Sequence, residues 1–547
     1  MAVSLSKAAR AGAMVCILAA AGIAWGQETA PTDATQKGPS TTGPAKAEGD
    51  AKETPVKPMS DKPSVTTAKL TSVDGKTIEY TATTGYMPLK DEKGKLRANM
   101  FYVAYTVGGK PGVTTQPVDA PSTRPVTFVF NGGPGAASVW LHLGAVGPRR
   151  LDVPEDGTAP QAPFKVVDNE YSWLPATDLV FVDPVNTGYS RADNPDQAKE
   201  FFGVKEDIAG MGEFVRLYLT KYERWNCPVL LAGESYGTTR ASGLANYLQE
   251  RVGVSVSGVI LISTVLNFSA LSPGENNDLP YALYLPSYAA VAWYHHKLDS
   301  GRPIELAPLL KQAEDFATNQ YSAALMKGTA ISNEERDATA KRLSELTGLS
   351  VPYIIESHLR IPPFRFEKEL LRSSDGVGSL VIGRFDGRIT GAPTDPINDS
   401  QEYDPSLSGF FPAYTSAFND YVRRTLKYDN DVTYEVLSNR VQPWNWESGT
   451  VDGGYVYIGD KLRDALTHNP HMKLLVCSGH FDLATPFFAT DYQLNHMTLA
   501  PEIRKNITQT YYDGGHMLYH VRPALAKLHD DVTAFISSAS SVSTAPK

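Results

Sequence analysis

The sequence has 547 residues, of which 42% are hydrophobic and 10% aromatic, and its formal net charge is −9. This length is enough for two or three domains, and the composition is that of a globular protein with a sizeable core. The acidic balance and the lack of a long basic run argue against a nucleic-acid partner.

The first 26 residues have the layout of a secretory signal. Lys7 and Arg10 precede an apolar run over residues 11–25, and small residues lie at the positions that a signal peptidase reads. The run is too short to span a bilayer as a stable helix. We therefore predict a signal peptide over residues 1–26 and an exported protein, periplasmic or extracellular, without stable membrane insertion after cleavage. An uncleaved N-terminal anchor is the alternative.

The composition changes near residue 70. Residues 27–69 are rich in Thr, Pro, Lys, Ala and Gly and have almost no large apolar side chain. Such a segment cannot bury enough surface to offset the entropy of ordering, so we predict a disordered linker over 27–69. Alternating polar and apolar runs begin at about Leu70, and this alternation is typical of strands.

Short, wholly apolar runs predict the central sheet, because they suit strands that are buried on both faces. These runs are residues 126–130, 179–182, 229–232, 259–262 and 474–477. Apolar residues at three- to four-residue spacing between Ile208 and Tyr222 predict a connecting amphipathic helix. Alternating strands and helices indicate an α/β fold with a mostly parallel sheet. Cys227 and Cys477 lie in strand-like runs, which favours two buried thiols over a disulfide.

The regular pattern stops after Thr264 and resumes at residues 474–477. The intervening sequence is rich in aromatic residues, prolines and charged helical segments, which indicates a cap domain inserted between strands of the sheet. We predict the first part of the core at residues 70–265, the cap at 266–455, and the second part of the core, which includes a terminal helix, at 456–540. An aromatic cluster at residues 281–294 fits either the core of the cap or a substrate groove.

Residues 233–237 read GESYG and match the pattern GxSxG, which alone is weak evidence. The match directly follows the apolar run 229–232 and precedes a predicted helix over 238–250. In this context a serine is held in a strained turn between strand and helix, and the flanking glycines let the two elements approach. We therefore predict Ser235 to be a nucleophile.

A serine hydroxyl needs a base, and the base needs an orienting acid. In a fold of this type both follow the serine, each in a loop after a late strand. Asp482 follows the strand-like run KLLVC, and His516 follows ITQTYY and two glycines. Asp183 and Asp513 are the alternative acids, and His480 lies beside Asp482. Asp183 precedes the serine, which fits a structural role at a strand end.

The reaction also needs hydrogen-bond donors for a developing oxyanion. Residues 131–135 (NGGPG) follow the apolar run 126–130, and adjacent glycines leave backbone N–H groups unobstructed. We predict that Gly133 and the N–H of Tyr236 form a two-donor oxyanion hole. A tight turn at the same residues is compatible with this role.

Five segments occur in the order found in the serine carboxypeptidase family, the S10 peptidases. They are NGGPG, SWLPATDLVFVDPVNTGYS, GESYG, SGHFDLATP and GGHM. The sequence resembles this family over residues 125–269 and 473–536, and most closely its bacterial, low-cysteine members. The resemblance implies an α/β-hydrolase fold with an inserted cap and hydrolysis of C-terminal peptide bonds, usually at acid pH. Some relatives transfer acyl groups instead.

The resemblance also implies roles for individual residues. Ser235, Asp482 and His516 match the catalytic triad, and Gly133 and Tyr236 match the oxyanion donors. The side chains of Asn131 and Glu234 match those that bind the terminal carboxylate of the substrate, a role in which a protonated glutamic acid donates a hydrogen bond. Many members have a second glutamate at the position of Ala145, and its loss weakens the case for carboxylate recognition.

The sequence thus predicts an exported serine-type carboxypeptidase that acts on a peptide or acyl substrate through an acyl-enzyme. An esterase or acyltransferase with the same fold is the main alternative, and a non-catalytic binding module is a second. We expect no cofactor. We also expect no metal site, since the side chains of the adjacent His295 and His296 would point in different directions on a helix or strand.

Overall fold

The computed structural model describes residues 62–108, 124–298, 304–373, 378–399, 402–449, 451–452 and 454–541. The predicted signal peptide and the predicted linker up to residue 61 lie outside the described residues.

The strands are β1 Ser64–Thr71, β2 Thr77–Lys90, β3 Leu96–Val107, β4 Val126–Phe130, β5 Arg149–Leu151, β6 Val166–Asp168, β7 Asp178–Val182, β8 Arg191–Ala192, β9 Val229–Ser235, β10 Val256–Thr264, β11 Val381–Ile382, β12 Thr390–Gly391, β13 Val451–Asp452, β14 Tyr455–Val456, β15 Lys473–Gly479 and β16 Ile507–Tyr512.

The α-helices are α1 Val139–Leu141, α2 Pro195–Ala198, α3 Val204–Lys221, α4 Tyr236–Tyr247, α5 Leu279–Tyr294, α6 Leu306–Phe316, α7 Ser322–Lys327, α8 Asn333–Thr347, α9 Val351–Glu356, α10 Pro363–Glu369, α11 Pro405–Ser408, α12 Phe410–Arg424, α13 Gly459–His468, α14 Phe487–His496, α15 Pro501–Arg504 and α16 Arg522–Ser540. Helical turns of 3₁₀ or π type lie at His142–Val146, Lys199–Phe201, Leu248–Val252, Phe268–Leu271, Ala317–Tyr321, Gly328–Ala330, Asn439–Val441, Trp446–Ser448 and Leu518–His520.

One large mixed sheet organises the molecule. Its strand order is β1-β2-β3-β7-β4-β9-β10-β15-β16, and β8 pairs with the edge of β3. The strands from β1 to β3 are antiparallel and β3 pairs antiparallel with β7, whereas β7, β4, β9, β10, β15 and β16 run parallel. The carboxyl ends of these six parallel strands therefore meet at one edge of the sheet, where ligands bind in open α/β sheets.

The apolar runs form the parallel strands, as predicted. Every residue of β4 and β7 is buried, and β9, β10 and β15 are buried along nearly their whole length. The predicted connecting helix is α3, whose buried face includes Met211, Phe214 and Tyr218. Cys227 and Cys477 are free and buried, which confirms the prediction of two thiols.

The predicted end of the linker differs from the structure, because β1 begins at Ser64 rather than after residue 69. Its sequence, SVTTAKLT, has few large apolar residues because β1 is an edge strand with mostly half-buried or exposed side chains. All eight of its residues align with residues of β2, from Ser64 opposite Thr84 to Thr71 opposite Thr77. Backbone pairing thus orders a segment whose composition predicts disorder.

Between β10 and β15 the described chain forms helices α5 to α13 and two short two-stranded ribbons. The aromatic cluster lies in α5, where Tyr281, Tyr284 and Tyr288 are buried in an apolar core with residues of α6 and α8. This placement agrees with the interpretation of the cluster as core. The same apolar core includes Phe481 and Leu483, which flank Asp482, so the insertion packs directly on a predicted catalytic loop. The insertion and the central sheet belong to one compact unit, which starts at Lys62.

Among the described residues, no helix combines the length and the apolar character needed to cross a bilayer.

Candidate active site

Ser235 stands on a sharp turn at the end of β9, directly before α4. Its φ of 59° and ψ of −131° lie in a sparsely populated region for a residue with a side chain. The turn requires both flanking glycines. A Cβ atom on Gly233 would lie 2.1 Å from the carbonyl oxygen of Gly237, and one on Gly237 would lie 2.7 Å from that of Phe130. The structure therefore places Ser235 on the strained strand–helix turn that the sequence predicts.

Asp482 and His516 are hydrogen-bonded to each other, as predicted. The distance from Nδ1 of His516 to Oδ2 of Asp482 is 2.9 Å, and the two side chains are 4% and 0% exposed. The other carboxylate oxygen, Oδ1, accepts the backbone N–H groups of Ala484 at 2.7 Å and Thr485 at 2.9 Å. The Thr485 hydroxyl donates to Oδ2 at 2.7 Å. The carboxylate is thus held in one orientation, with Oδ2 towards the imidazole.

The strand register brings His516 towards Ser235. Thr264 of β10 aligns with Ser235 of β9, and the neighbouring Ser263 hydroxyl donates to the carbonyl oxygen of His516 at 2.7 Å. No hydrogen bond joins the side chains of Ser235 and His516, both of which the structure describes, and such bonds often form only with substrate bound. Burial opposes the charged imidazole, but the carboxylates of Asp482 and Glu234 outweigh it and raise the pKa of His516 above its ordinary value.

The alternative acids are engaged elsewhere. Asp513 lies 3.2 Å from Nδ1 of His480, and its side chain is 79% exposed. Asp183 is buried and accepts the backbone N–H and the hydroxyl of Ser138, each at 2.9 Å. Neither aspartate is hydrogen-bonded to His516 in the described structure, which leaves Asp482 as its partner.

The loop at residues 131–135 lies against the start of α4. A Cβ atom on Gly132 would be 2.4 Å from the backbone nitrogen of Tyr236, so only glycine lets the loop approach that closely. Gly133 has a φ of +100°, and its N–H makes no hydrogen bond within the described part of the chain. The two predicted oxyanion donors thus belong to backbone segments that are in direct contact.

Asn131 and Glu234 are both buried beside this loop. Oδ1 of Asn131 accepts the N–H of Leu141 at 3.0 Å, which leaves the amide NH₂ as the group available to a ligand. Glu234 is 4% exposed, and burial raises its pKa to about 7. Its Oε2 has no hydrogen-bond partner among the described residues. The Tyr519 and Asn131 side chains partly oppose the rise of this pKa, but a buried carboxyl oxygen without a partner is still costly, and a hydrogen-bonding ligand would relieve that cost.

The position of Ala145 is fully buried and lies in the π-helical turn His142–Val146. Aromatic side chains surround this turn. A Cβ atom on Gly144 would be 2.4 Å from the ring of Tyr519 and 2.7 Å from the hydroxyl oxygen of Tyr414. The side chains in closest contact with Gly144 are thus aromatic rather than acidic.

A short segment of the insertion, residues 383–387, supports both catalytic loops, and we call it the brace segment. The carbonyl of Phe385 accepts the N–H of His516, and that of Arg384 accepts the N–H of Leu483 at 3.0 Å. The Phe385 ring stacks on the His516 ring with centroids 4.8 Å apart. The sequence contains no signal for this segment, because a phenylalanine far along the chain has no pattern that links it to a histidine.

A buried ion pair beneath the site is a second feature that the sequence does not predict. Arg240 of α4 is 1% exposed, donates to Oδ2 of Asp207 in α3 at 2.8 Å, and donates to the carbonyl oxygen of Asn131 at 2.6 Å. One guanidinium thus connects α4, α3 and the loop at residues 131–135.

Asp207→Asn is expected to lower the free energy of unfolding by about 3–5 kcal/mol, because it leaves the buried Arg240 cation without its counter-charge. Denaturant titration measures this loss. Asp315→Asn is the matched control, since its carboxylate pairs with Lys311 at 2.6 Å on an exposed surface and should leave the transition unchanged. Equal effects of the two substitutions would contradict the role of the pair.

Comparisons with known proteins identify the family of the chain. A family model described as serine carboxypeptidase matches residues 73–519. Carboxypeptidase Y homolog A of Podospora anserina is 37% identical over 204 residues, which cover 37% of this chain and 33% of the relative. Pheromone-processing carboxypeptidase KEX1 of Yarrowia lipolytica is 33% identical over 141 residues, covering 25% of this chain and 21% of that protein. The chain thus matches only a fifth to a third of the length of these curated relatives.

Among solved structures, Kex1(delta)p, a prohormone-processing carboxypeptidase from Saccharomyces cerevisiae, superposes with a TM-score of 0.51 at 17% sequence identity. The match covers 83% of this chain and 91% of the yeast chain, and it shows a shared fold. The architecture is that of the α/β hydrolases, as the sequence predicts. Since the family model covers most of the sequence, the chain belongs to the serine carboxypeptidase family.

Proposed function

We propose that the protein is an exported serine carboxypeptidase that hydrolyses C-terminal peptide bonds through Ser235, His516 and Asp482. The observation that carries this proposal is the buried Asp482–His516 hydrogen bond beside a serine on a strained turn. In the same proposal, residues 266–455 form the cap over the site. Export is inferred from the signal-like sequence at residues 1–26.

In this proposal a named group carries out each step of acyl transfer. Nδ1–H of His516 donates to Asp482, which leaves Nε2 as the acceptor for the Ser235 proton when the hydroxyl attacks the carbonyl carbon. The carboxylates of Asp482 and Glu234, which raise the pKa of His516, stabilise the imidazolium that forms. The N–H groups of Gly133 and Tyr236 would bind the oxyanion. The imidazolium then protonates the leaving amine, and water, activated by the same base, releases the acid from the acyl-enzyme.

Glu234 and Asn131 would bind the carboxylate of the leaving amino acid. A protonated Glu234 donates a hydrogen bond to that carboxylate, and the Asn131 amide donates a second. Because the pKa of Glu234 is about 7, the carboxyl group is largely protonated below neutral pH without a second acid beside it. The loss of the family's second glutamate at Ala145 is therefore compatible with carboxylate recognition.

The preference for a free C-terminal carboxylate is expected to fall as the pH rises through about 7. Below this pH Glu234 is protonated and donates; above it the ionised carboxylate repels the substrate carboxylate. The measurement is the ratio of kcat/KM for a blocked dipeptide and for its C-terminal amide between pH 5 and 9. Titration of His516 affects both substrates and cancels in the ratio.

Glu234→Gln is the control for this profile, since its amide donates at every pH and should give a nearly flat ratio. A wild-type ratio that does not change with pH would show that Glu234 does not contact the substrate carboxylate.

Labelling by a fluorophosphonate, lost in Ser235→Ala, tests the nucleophile. Comparison of the blocked dipeptide, its amide and simple aryl esters tests the substrate class. Cleavage of the free-acid peptide in preference to the amide supports the carboxypeptidase. Cleavage of esters alone would indicate the esterase or acyltransferase, and absence of labelling of folded protein would indicate a binding module.

A further inference from the structure

The brace segment carries a cation directly beside the proposed catalytic residues. Arg384 is half-buried, and its backbone carbonyl accepts the N–H of Leu483, next to Asp482. The following residue, Phe385, stacks on His516. Backbone contacts to both catalytic loops thus fix the position from which the Arg384 side chain extends.

The guanidinium of Arg384 lies over the ring of Phe385, 5.5 Å from its centroid, but within the described residues it forms no ion pair and donates no hydrogen bond. Other arginines of the insertion are paired. Arg360 contacts Asp278 at 2.6 Å, Arg372 contacts Glu369 at 2.7 Å, and Arg388 contacts Asp386 within the brace segment itself. Arg384 therefore differs from its neighbours in keeping its donors free next to the reaction centre.

The charge of Arg384 opposes the rise in pKa that burial causes in two nearby acids, Glu367 and Asp404, although neither forms an ion pair with it. Burial still raises the pKa of Glu367 to about 8. Glu367 is 2% exposed, and its Oε1 has no hydrogen-bond partner in the described residues. Asp404 accepts the backbone N–H groups of Arg384 and Phe385 and the hydroxyl of Ser406, so its oxygens are occupied.

The charge of Arg384 also reaches the catalytic histidine, where it opposes protonation of the imidazole. A cation that disfavours protonation of the base is a cost to the mechanism unless an anionic group offsets its charge. A half-buried guanidinium attracts anions more strongly than an exposed one, and its planar fork matches a carboxylate. An anionic group of the substrate would use these donors and neutralise the charge.

We propose that Arg384 binds a carboxylate of the substrate beside His516 and so favours substrates that carry a carboxylate at that position. The carboxylate has two sources in a peptide, the C-terminal α-carboxylate and the side chain of an acidic residue next to the scissile bond. This inference rests on the proposed peptide substrate, but it concerns binding and is tested apart from turnover.

The test measures binding to Ser235→Ala protein, which cannot turn peptides over. The probes are blocked dipeptides that differ in one group: free acid against C-terminal amide, and Glu against Gln on either side of the scissile bond. Arg384→Gln is introduced into this background, with Arg372→Gln as the matched control, because Arg372 is also in the insertion but is paired with Glu369. Calorimetry gives each Kd, and thermal unfolding confirms that each variant is folded.

We expect Arg384→Gln to reduce one of the two preferences by about 10- to 100-fold and Arg372→Gln to change neither. Loss of the acid-over-amide preference identifies the α-carboxylate, and loss of the Glu-over-Gln preference identifies the side chain. Arg384→Lys, which keeps the charge and loses the fork, should give intermediate values and replaces Arg384→Gln if that variant is unfolded.

Preferences that stay within about twofold of the parent protein in Arg384→Gln would overturn the proposal, as would failure of the parent to bind any of the peptides. The outcomes are independent of the proposed reaction. If the unsubstituted protein binds these peptides with an Arg384-dependent preference but does not hydrolyse them, the proposed function fails and the binding role of Arg384 stands.

Discussion

Ser235→Ala is expected to lower kcat by about 10⁶-fold and to leave the fold unchanged. The substitution removes the attacking oxygen but none of the contacts that form the turn. The φ of 59° at this position is as unfavourable for serine as for alanine, so the stability of the protein should not change. The measurement is steady-state hydrolysis of the preferred peptide or ester, together with loss of fluorophosphonate labelling.

Ser242→Ala is the matched control. Its hydroxyl is buried in the same helix α4 and makes no hydrogen bond within the described structure. This substitution should leave kcat within about twofold of wild type. A comparable loss in Ser242→Ala would show that α4, rather than the nucleophile, is sensitive to substitution.

The double variant Ser235→Ala/His516→Ala tests whether the two residues act as a unit. Groups that act in one step are not additive, so the double variant should lose about the same 10⁶-fold as either single variant. This test matters here because the structure shows no hydrogen bond between the side chains of Ser235 and His516. Losses that multiply would mean that His516 does not serve as the base for Ser235.

Asp482→Asn is expected to lower kcat by about 10⁴-fold. The backbone N–H groups of Ala484 and Thr485 need an acceptor, so the amide oxygen of the new side chain should keep the Oδ1 position. The amide nitrogen then takes the Oδ2 position and donates towards Nδ1 of His516. The imidazole must carry its proton on Nε2, where it can no longer accept the proton of Ser235.

Asp513→Asn carries the same chemical change at the aspartate closest to His516 in sequence. Its carboxylate is exposed and lies beside His480, so kcat should stay within about twofold of wild type. The rate of fluorophosphonate labelling provides a second readout for both variants. A large loss in Asp513→Asn with a small one in Asp482→Asn would reverse the assignment of the acid.

The parts of the fold that follow from local pattern could be predicted from the sequence. Apolar runs located the parallel strands to within a few residues, since strands buried on both faces have no polar positions to obscure them. Ser235 and Asp482 follow such strands, His516 follows the half-buried parallel edge strand β16, and the carboxyl ends of parallel strands meet at one edge. That rule brings together Ser235 and Asp482, which are 247 positions apart in the chain, and His516, which lies 34 positions after Asp482.

The other features depend on contacts that leave no local pattern. The composition of β1 resembles a linker because an edge strand depends on backbone pairing with β2 more than on burial. The connection from Arg240 to Asp207 and to the loop at residues 131–135 joins three separate elements, and nothing about an arginine in a helix shows where its side chain ends. The brace segment belongs to the same class, since its main role is performed by backbone carbonyl groups that any residue possesses.

The brace segment has a consequence for how the insertion could change during evolution or engineering. Two of its carbonyl groups accept the N–H groups of His516 and Leu483, so the insertion that we propose to be the cap also holds the backbone of the two proposed catalytic loops. Exchanging the whole insertion for that of a relative would remove these acceptors together with the old specificity. New specificities are therefore expected to arise by point changes around the brace segment rather than by transplantation of the cap as an independent module.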